Sequence, residues 1–255
     1  MSIIKGGAAG FKSVVFYSEN FSSRAIRNKD GTITINVSKR KVAPKFESLI
    51  NRLPFIRGLY LFVKPLIVMW KIYLMVFLPL LIFLLLASHS GKNSSGSSIP
   101  VFPIIVETIQ NHFLLLIAII MVIFGVVIKL SNLGKYHGAE HMTDTAYSTL
   151  SSLAISDVVK QSRIHAHCGT NFVVFVFVTY FILSFFISDL ITLTMLSICL
   201  GYEVFLIQSK ILAPFYWIGG FFQYTLFTSK PSIKHLEVAI ASYEALIKAE
   251  HIKLA

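Results

Sequence analysis

The chain has 255 residues, 55% of them apolar and 14% charged, with a mean hydropathy of +0.72 and a formal net charge of +11. That is too little charged surface for a soluble domain of this length, whose outside must face water. The charge also points away from nucleic acid, because thirteen Lys and Arg crowd into residues 1–71 against only Glu19, Asp30 and Glu47. Positive charge massed ahead of a first apolar run marks the cytosolic side of a membrane and favours anionic lipid headgroups.

Residues 1–50 contain no apolar stretch long enough for a cleavable leader. Thr32–Val37 alternates strictly between polar and apolar side chains after the turn signal Asn28-Lys29-Asp30-Gly31. This predicts an antiparallel β meander with Lys12–Tyr17 and Ser22–Arg27 as its other strands, inside a small basic cytosolic domain over residues 1–44. Beyond Pro44, the residues Phe46, Leu49, Ile50, Leu53 and Ile56 recur at helical spacing among Lys45, Glu47, Arg52 and Arg57. They predict an amphipathic helix lying in the membrane interface over 45–65, bent at Pro54.

A hydrocarbon core of about 30 Å takes roughly 20 helical residues. With their lightly polar flanks, Leu66–Ala87, His112–Leu130, Phe172–Ile187 and Ile191–Gln208 reach that length. The expected fold is therefore mainly α and integral to the membrane, with about four transmembrane helices in a bundle over 66–208. His89–Pro100, rich in Ser and Gly with Lys92 as its one charge, is expected outside, and 131–171, with Lys135, Lys160 and Arg163, in the cytosol. Residues 209–255 combine an interfacial aromatic segment, Ile211–Phe227, with a C-terminal amphipathic helix, Ile233–Ala249, opened by Ser229-Lys230-Pro231-Ser232. The N-terminus, residues 131–171 and the C-terminus thus share the cytosolic face of a bacterial inner membrane. No internal repeat is evident, which weighs against an inverted-repeat transporter.

The cytosolic segment carries the concentrated chemistry. His137, Glu140, His141 and Asp144 stand at i, i+3, i+4 and i+7, one face of a helix. His-x-x-Glu-His inverts the zinc-protease motif, in which two histidines a turn apart bind the ion and the glutamate acts on water. Just before the next apolar run come Arg163, His165, His167 and Cys168, with Thr170 or Asn171 placed to cap the helix that follows. The two groups sit at the cytosolic ends of consecutive spans, so topology brings them together. His137, His141, His165 and Cys168 make a tetrahedral N/S set suited to a divalent ion, zinc by preference, with His167 as a further ligand and Glu140 as the catalytic general base. Asp144, Glu203 and Arg163 are expected to support these ligands, although Glu203 has Lys210 as an alternative partner. The bland alternative makes the histidines ordinary interfacial residues, with Glu140 paired to Lys135 or Arg163.

Tyr136-His137-Gly138-Ala139-Glu140-His141, Ser162-Arg163-Ile164-His165 with Cys168-Gly169-Thr170, and Tyr202-Glu203 together resemble the YqhQ-like family of bacterial membrane proteins. Pro54-Phe55-Ile56-Arg57-Gly58, and Gly220 through Gln223, Thr228 and Pro231 to Glu237-Val238-Ala239-Ile240, agree in order along the chain. The resemblance implies a domain of unknown function often labelled a predicted metal-dependent enzyme. Two departures stand out: the opening is reduced to Gly6-Gly7-Ala8-Ala9-Gly10, and His167 occupies a position where the family tends to have arginine.

Two functions follow as expectations. One is a metal-dependent hydrolase acting on a membrane-associated substrate. The other is a non-catalytic scaffold or regulator of an insertion or export machine, associated with other membrane proteins, in which the His/Cys cluster only staples the cytosolic loops.

Overall fold

The computed structural model describes residues 4–40, 45–71, 73–75, 77–79, 81–82 and 101–254. The chain divides into two compact units, one of Met1–Ser48, Val122–Phe175 and Phe205–Ala255, the other of Leu49–Met121 and Val176–Val204.

The first unit opens with four strands, β1 (Ile4–Ala9), β2 (Ser13–Ser18), β3 (Phe21–Arg27) and β4 (Ile33–Lys39), in an antiparallel meander of order β1-β2-β3-β4. The three strands read from the pattern are present, and β1 is an addition to them. At the β3–β4 turn, Gly31 takes φ 89°, a conformation cheap only for glycine. One face of the sheet is buried through Ile4, Val14, Phe16 and Ala25. It closes over two helices, α4 (Asn132–Leu150) through Tyr136, Ala139, Met142 and Ala146, and α9 (Ile233–Leu254) through Leu236, Ala239, Ile240, Tyr243 and Leu246. The N-terminal strands and the C-terminal helix therefore share one apolar core. Phe16 meets Tyr243 edge-on at 4.7 Å between ring centres. The alternation that announced β4 brings Ile33 against the core but leaves Ile35 and Val37 exposed.

Along the chain between these elements run α1 (Lys45–Ile50), α2 (Ile56–Val68), α3 (Val101–Leu130), α5 (Ile155–Val158), α6 (Gly169–Leu183), α7 (Leu190–Ile207) and α8 (Ala213–Phe222). Among the described residues two helices are long and apolar enough to cross a membrane: Asn111–Leu130, which is α3 beyond its kink at His112, and Leu190–Ile207. A third such element exists if α2 and the helix Tyr73–Pro79, bent by 65° to each other, are counted as one span. At fifteen residues α6 falls short of the roughly 20 that a span takes, so the described residues show two such helices, or three with the bent pair, beside the expected number of about four. The end of the first expected span past residue 82 and the expected outer loop 89–100 lie outside the described residues. Ser188-Asp189 lies between α6 and α7, with the Asp189 carboxylate accepting from the Thr192 N–H at 2.8 Å.

Small residues and an ion pair between Arg57 and Glu203 hold the second unit. A Cβ at Gly58 would lie 3.0–3.2 Å from Tyr202 and Cys199, and one at Gly201 would lie 2.8 Å from the Val176 backbone, so α2, α6 and α7 approach closely there. Glu203 accepts from Arg57 Nε at 2.8 Å and from Arg57 Nη2, and its Oε1 also accepts from the Phe55 N–H at 2.9 Å. Its partner is thus Arg57 and not Lys210.

Candidate metal centre

The centre is built on α4. Ser131 starts this helix by accepting from the Leu133 N–H, and Tyr136, Gly138, Ala139, Glu140, His141 and Met142 are all buried. Glycines set what can pass over it. A Cβ at Gly138 would stand 2.6 Å from the Ser229 carbonyl oxygen, and one at Gly134 would stand 2.6 Å from that of Ile128. With both positions bare, the segment Phe227–Ser229 lies directly on α4, anchored by the Ser229 N–H on the Gly134 carbonyl at 2.8 Å. It follows a π-helical turn, Gln223–Phe227, a geometry frequent at functional sites.

That packing fixes the first histidine. His137 Nδ1 donates to the Phe227 carbonyl at 3.0 Å. One turn on, His141 Nδ1 donates to the Arg163 carbonyl at 2.6 Å. A carbonyl oxygen only accepts, so each ring carries its proton on Nδ1 and keeps its Nε2 lone pair for another partner. Cys168 Sγ lies 3.6 Å from His137 Nε2. One ligand atom from each of His137, His141 and Cys168 falls within 4.8 Å of the others, and this group could hold a metal ion. Two imidazoles oriented by backbone carbonyls and one thiol are donors of the type and softness that zinc takes.

The loop carrying Cys168 is pinned by two buried carboxamides. Gln223 reaches the His165 backbone with both ends, its Oε1 accepting the His165 N–H at 2.8 Å and its Nε2 donating to the His165 carbonyl at 3.2 Å. Asn171 Nδ2 donates to the carbonyls of His165 at 3.1 Å and Ala166 at 2.8 Å. Thus Asn171 turns back onto the loop ahead of α6. Arg163 lays its guanidinium over the Tyr224 ring at 4.4 Å and donates to the Thr228 carbonyl at 3.2 Å, which also accepts from Lys129 Nζ at 2.7 Å.

His165 and His167, both expected as ligands, stand outside the three-residue group. His165 Nε2 lies 3.1 Å from Asp144 Oδ2, and Asp144 Oδ1 accepts from the Tyr243 hydroxyl at 3.1 Å. His167 Nδ1 lies 2.7 Å from Gln208 Nε2. Glu140, expected as the base, is buried with Oε2 3.6 Å from His141 Nε2. On its other side lies β1, where a Cβ at Gly7 would come within 2.3 Å of Glu140 Oε1. Glu140, His141, Asp144, His165 and His167 face a partly open cavity of about 500 Å³, walled on one side by Lys5, Gly6, Gly7 and Tyr17 and on the other by α4 and the 165–169 loop.

Burial dominates the electrostatics. It pushes the Glu140 carboxyl up to about 8, an effect the Cys168 and Asp144 charges reinforce and His137 opposes. It holds His141 well below its ordinary range, helped by His137, and raises the Cys168 thiol against the Thr170 hydrogen bonds. Neutral imidazole, thiol and carboxyl are the forms that burial favours here. A bound dication would favour the neutral imidazoles and the ionised thiol and carboxyl, so the donor set fits such an ion.

Gln223, Asn171, Tyr243 and the Gly6-Gly7 strand were not singled out in the sequence as parts of the site. A glutamine inside an otherwise apolar aromatic run is costly to bury without partners and was a usable signal. Tyr243 gave none, since it sits on an ordinary amphipathic helix.

Residues 59–249 match the family described as Protein of unknown function (DUF1385). The chain is similar to Uncharacterized protein YqhQ of Bacillus subtilis (strain 168), with 24% identity over 298 residues, 96% of this chain and 92% of that protein. No solved structure matches.

Proposed function

The chain belongs to the DUF1385 family of proteins of unknown function, and we propose that it is an inner-membrane hydrolase of a membrane-associated substrate, with a zinc-type centre held by His137, His141 and Cys168. One observation carries this: among the described residues the clustered donors number three, and they line a polar cavity. Structural zinc is closed by four protein ligands, whereas catalytic zinc keeps a position open. When bound, the ion would supply a Lewis acid polarising an oxygen of substrate or water.

The chain's own residues do the rest. The Phe227 and Arg163 carbonyls hold the two Nε2 lone pairs in place. Cys168 and Glu140 would offset the positive charge of a bound ion, and β1 covers Glu140 and limits water at that wall. The basic N-terminal region faces the cytosol and meets anionic headgroups, with 131–171 and the C-terminus on the same side. The scaffold function would use the sheet and the last helix as docking surfaces, but the apolar face of α9 is already covered by the sheet.

The test is turnover. Protein reconstituted in vesicles of bacterial phospholipid and loaded with zinc should release headgroup or acyl products detectable by mass spectrometry, and His141→Ala should release none. Equal product from both proteins would refute the assignment of the centre, and no product from fully metal-loaded wild type would refute hydrolysis of these lipids.

A further inference from the structure

His165 is held at both its backbone and its ring. Its backbone N–H and carbonyl are both engaged by the Gln223 side chain, and the carbonyl also accepts from Asn171 Nδ2 and, at 3.3 Å, from the Cys168 N–H. Gln223 is 0% and Asn171 2% exposed. Burying two carboxamides costs free energy that only well-made hydrogen bonds recover. Here both ends of Gln223 and the Nδ2 of Asn171 are directed at one short loop whose central residue is itself a half-buried histidine, while Asn171 Oδ1 has no hydrogen-bond partner among the described residues.

The ring is fixed as well as the backbone. Asp144 Oδ2 lies 3.1 Å from Nε2, and Asp144 is in turn held by the Tyr243 hydroxyl from α9. A carboxylate at Nε2 places the ring proton there, leaving Nδ1 as the acceptor. Among the described residues Nδ1 has no hydrogen-bond partner, and the ring lines the cavity. His141, whose ring centre is 5.4 Å away, has the opposite arrangement, with Nδ1 carrying the proton and Nε2 left open. Two neighbouring imidazoles are thus locked in opposite tautomers. One presents Nε2 to the three-donor group, the other presents Nδ1 to the cavity.

We infer that His165 is the proton-transfer group of this cavity and not a ligand of the ion, with Asp144 and Tyr243 as its positioning residues. The inference rests on the hydrolase function proposed above and replaces Glu140 in the role of base. In hydrolysis, an O–H bond of water breaks and its proton passes to His165 Nδ1 while the oxygen forms a bond to the electrophilic carbon or phosphorus. The bond to the leaving group then breaks, and the leaving group departs with the proton from Nδ1. Throughout, the Nε2–H stays on Asp144, whose negative charge stabilises the imidazolium between the two transfers.

The experiment combines metal content with imidazole ¹⁵N spectra of histidine-labelled protein in detergent, loaded with zinc, for wild type, Asp144→Asn and His165→Gln. His165 in wild type should show a protonated Nε2 and a lone-pair Nδ1, and Asp144→Asn should lose that preference while leaving the His137 and His141 signals in place. Both variants should keep the wild-type metal content. A His165 nitrogen with a metal-coordinated shift, metal loss in His165→Gln, or a protonated Nδ1 in wild type would overturn the inference. Absence of metal from wild type would instead refute the metal centre, and the tautomer of His165 would still decide whether Asp144 orients it. The structural alternative, in which Asp144 only braces the fold, predicts lower thermal stability in Asp144→Asn with the tautomer unchanged.

Discussion

The carbonyl oxygen of Phe227 accepts the Nδ1–H of His137 at 3.0 Å, across ninety residues of sequence. The contact exists because Gly138, next to that histidine, has no side chain: a Cβ there would lie 2.6 Å from the Ser229 carbonyl, part of the same crossing segment. The small residue inside the His-x-x-Glu-His motif is thus what lets a distant stretch of chain orient the first histidine.

Gly138→Ala should therefore lift residues 227–229 off α4. Alanine favours a helix over glycine by up to about 1 kcal/mol, yet the clash should turn that gain into a loss of roughly 1–3 kcal/mol. Zinc affinity should fall about 10–100-fold as His137 loses its orienting carbonyl. Gly169→Ala is the control, because nothing lies within 4 Å of its Cβ position. Thermal unfolding and chelator competition on both variants check this, and equal behaviour of the two would show that Gly138 has no such role.

Gln223→Leu should be more damaging than an exchange in an aromatic interfacial segment would suggest. It strips the His165 N–H of its acceptor and the His165 carbonyl of one donor while keeping a side chain of similar size. A buried polar group left without a partner costs about 1–3 kcal/mol. Gln223→Glu keeps the acceptor and should lose less. Unfolding midpoints in detergent, ranked wild type, Glu, Leu, are the expected outcome; a Leu variant as stable as wild type would contradict the pinning of this loop.

Glu203 belongs to a different arrangement. It bridges Arg57 and the N–H of Phe55, a residue held at φ 65° where a side chain is strained. Glu203→Ala and Arg57→Ala should each destabilise the protein, with a coupling of about 1–3 kcal/mol in a double-mutant cycle. Glu203→Ala should retain its zinc. Metal loss in that variant would return Glu203 to the supporting role that its place in the sequence first suggested.

How far the site was legible follows from these same residues. His137, Glu140, His141 and Asp144 announce one helical face by spacing, and Cys168 joins them because both groups border apolar runs. Spacing cannot say which donor wins each partner, and Asp144, two turns after His137, takes His165 away from the three-donor group. β1 escaped notice because Gly6, Gly7, Ala8 and Ala9 carry no strand-forming side chains; it exists through its pairing with β2. The aromatic run containing Gln223 reads as a membrane-interface belt, and Trp217 and Phe221 are indeed exposed. The same run also turns a buried amide and the Phe227 carbonyl toward the centre. Helix lengths were the least legible quantity: α6 stops at Leu183 although the apolar run continues to Ile187.

The most direct test of the account is the metal content of the purified, zinc-equilibrated protein, measured by mass spectrometry on wild type, His137→Ala, His141→Ala and Cys168→Ser. A three-donor centre predicts about one zinc ion per chain in wild type and its loss in each variant, with secondary structure retained. Folded wild-type protein without metal, or full retention of zinc in Cys168→Ser, would contradict it.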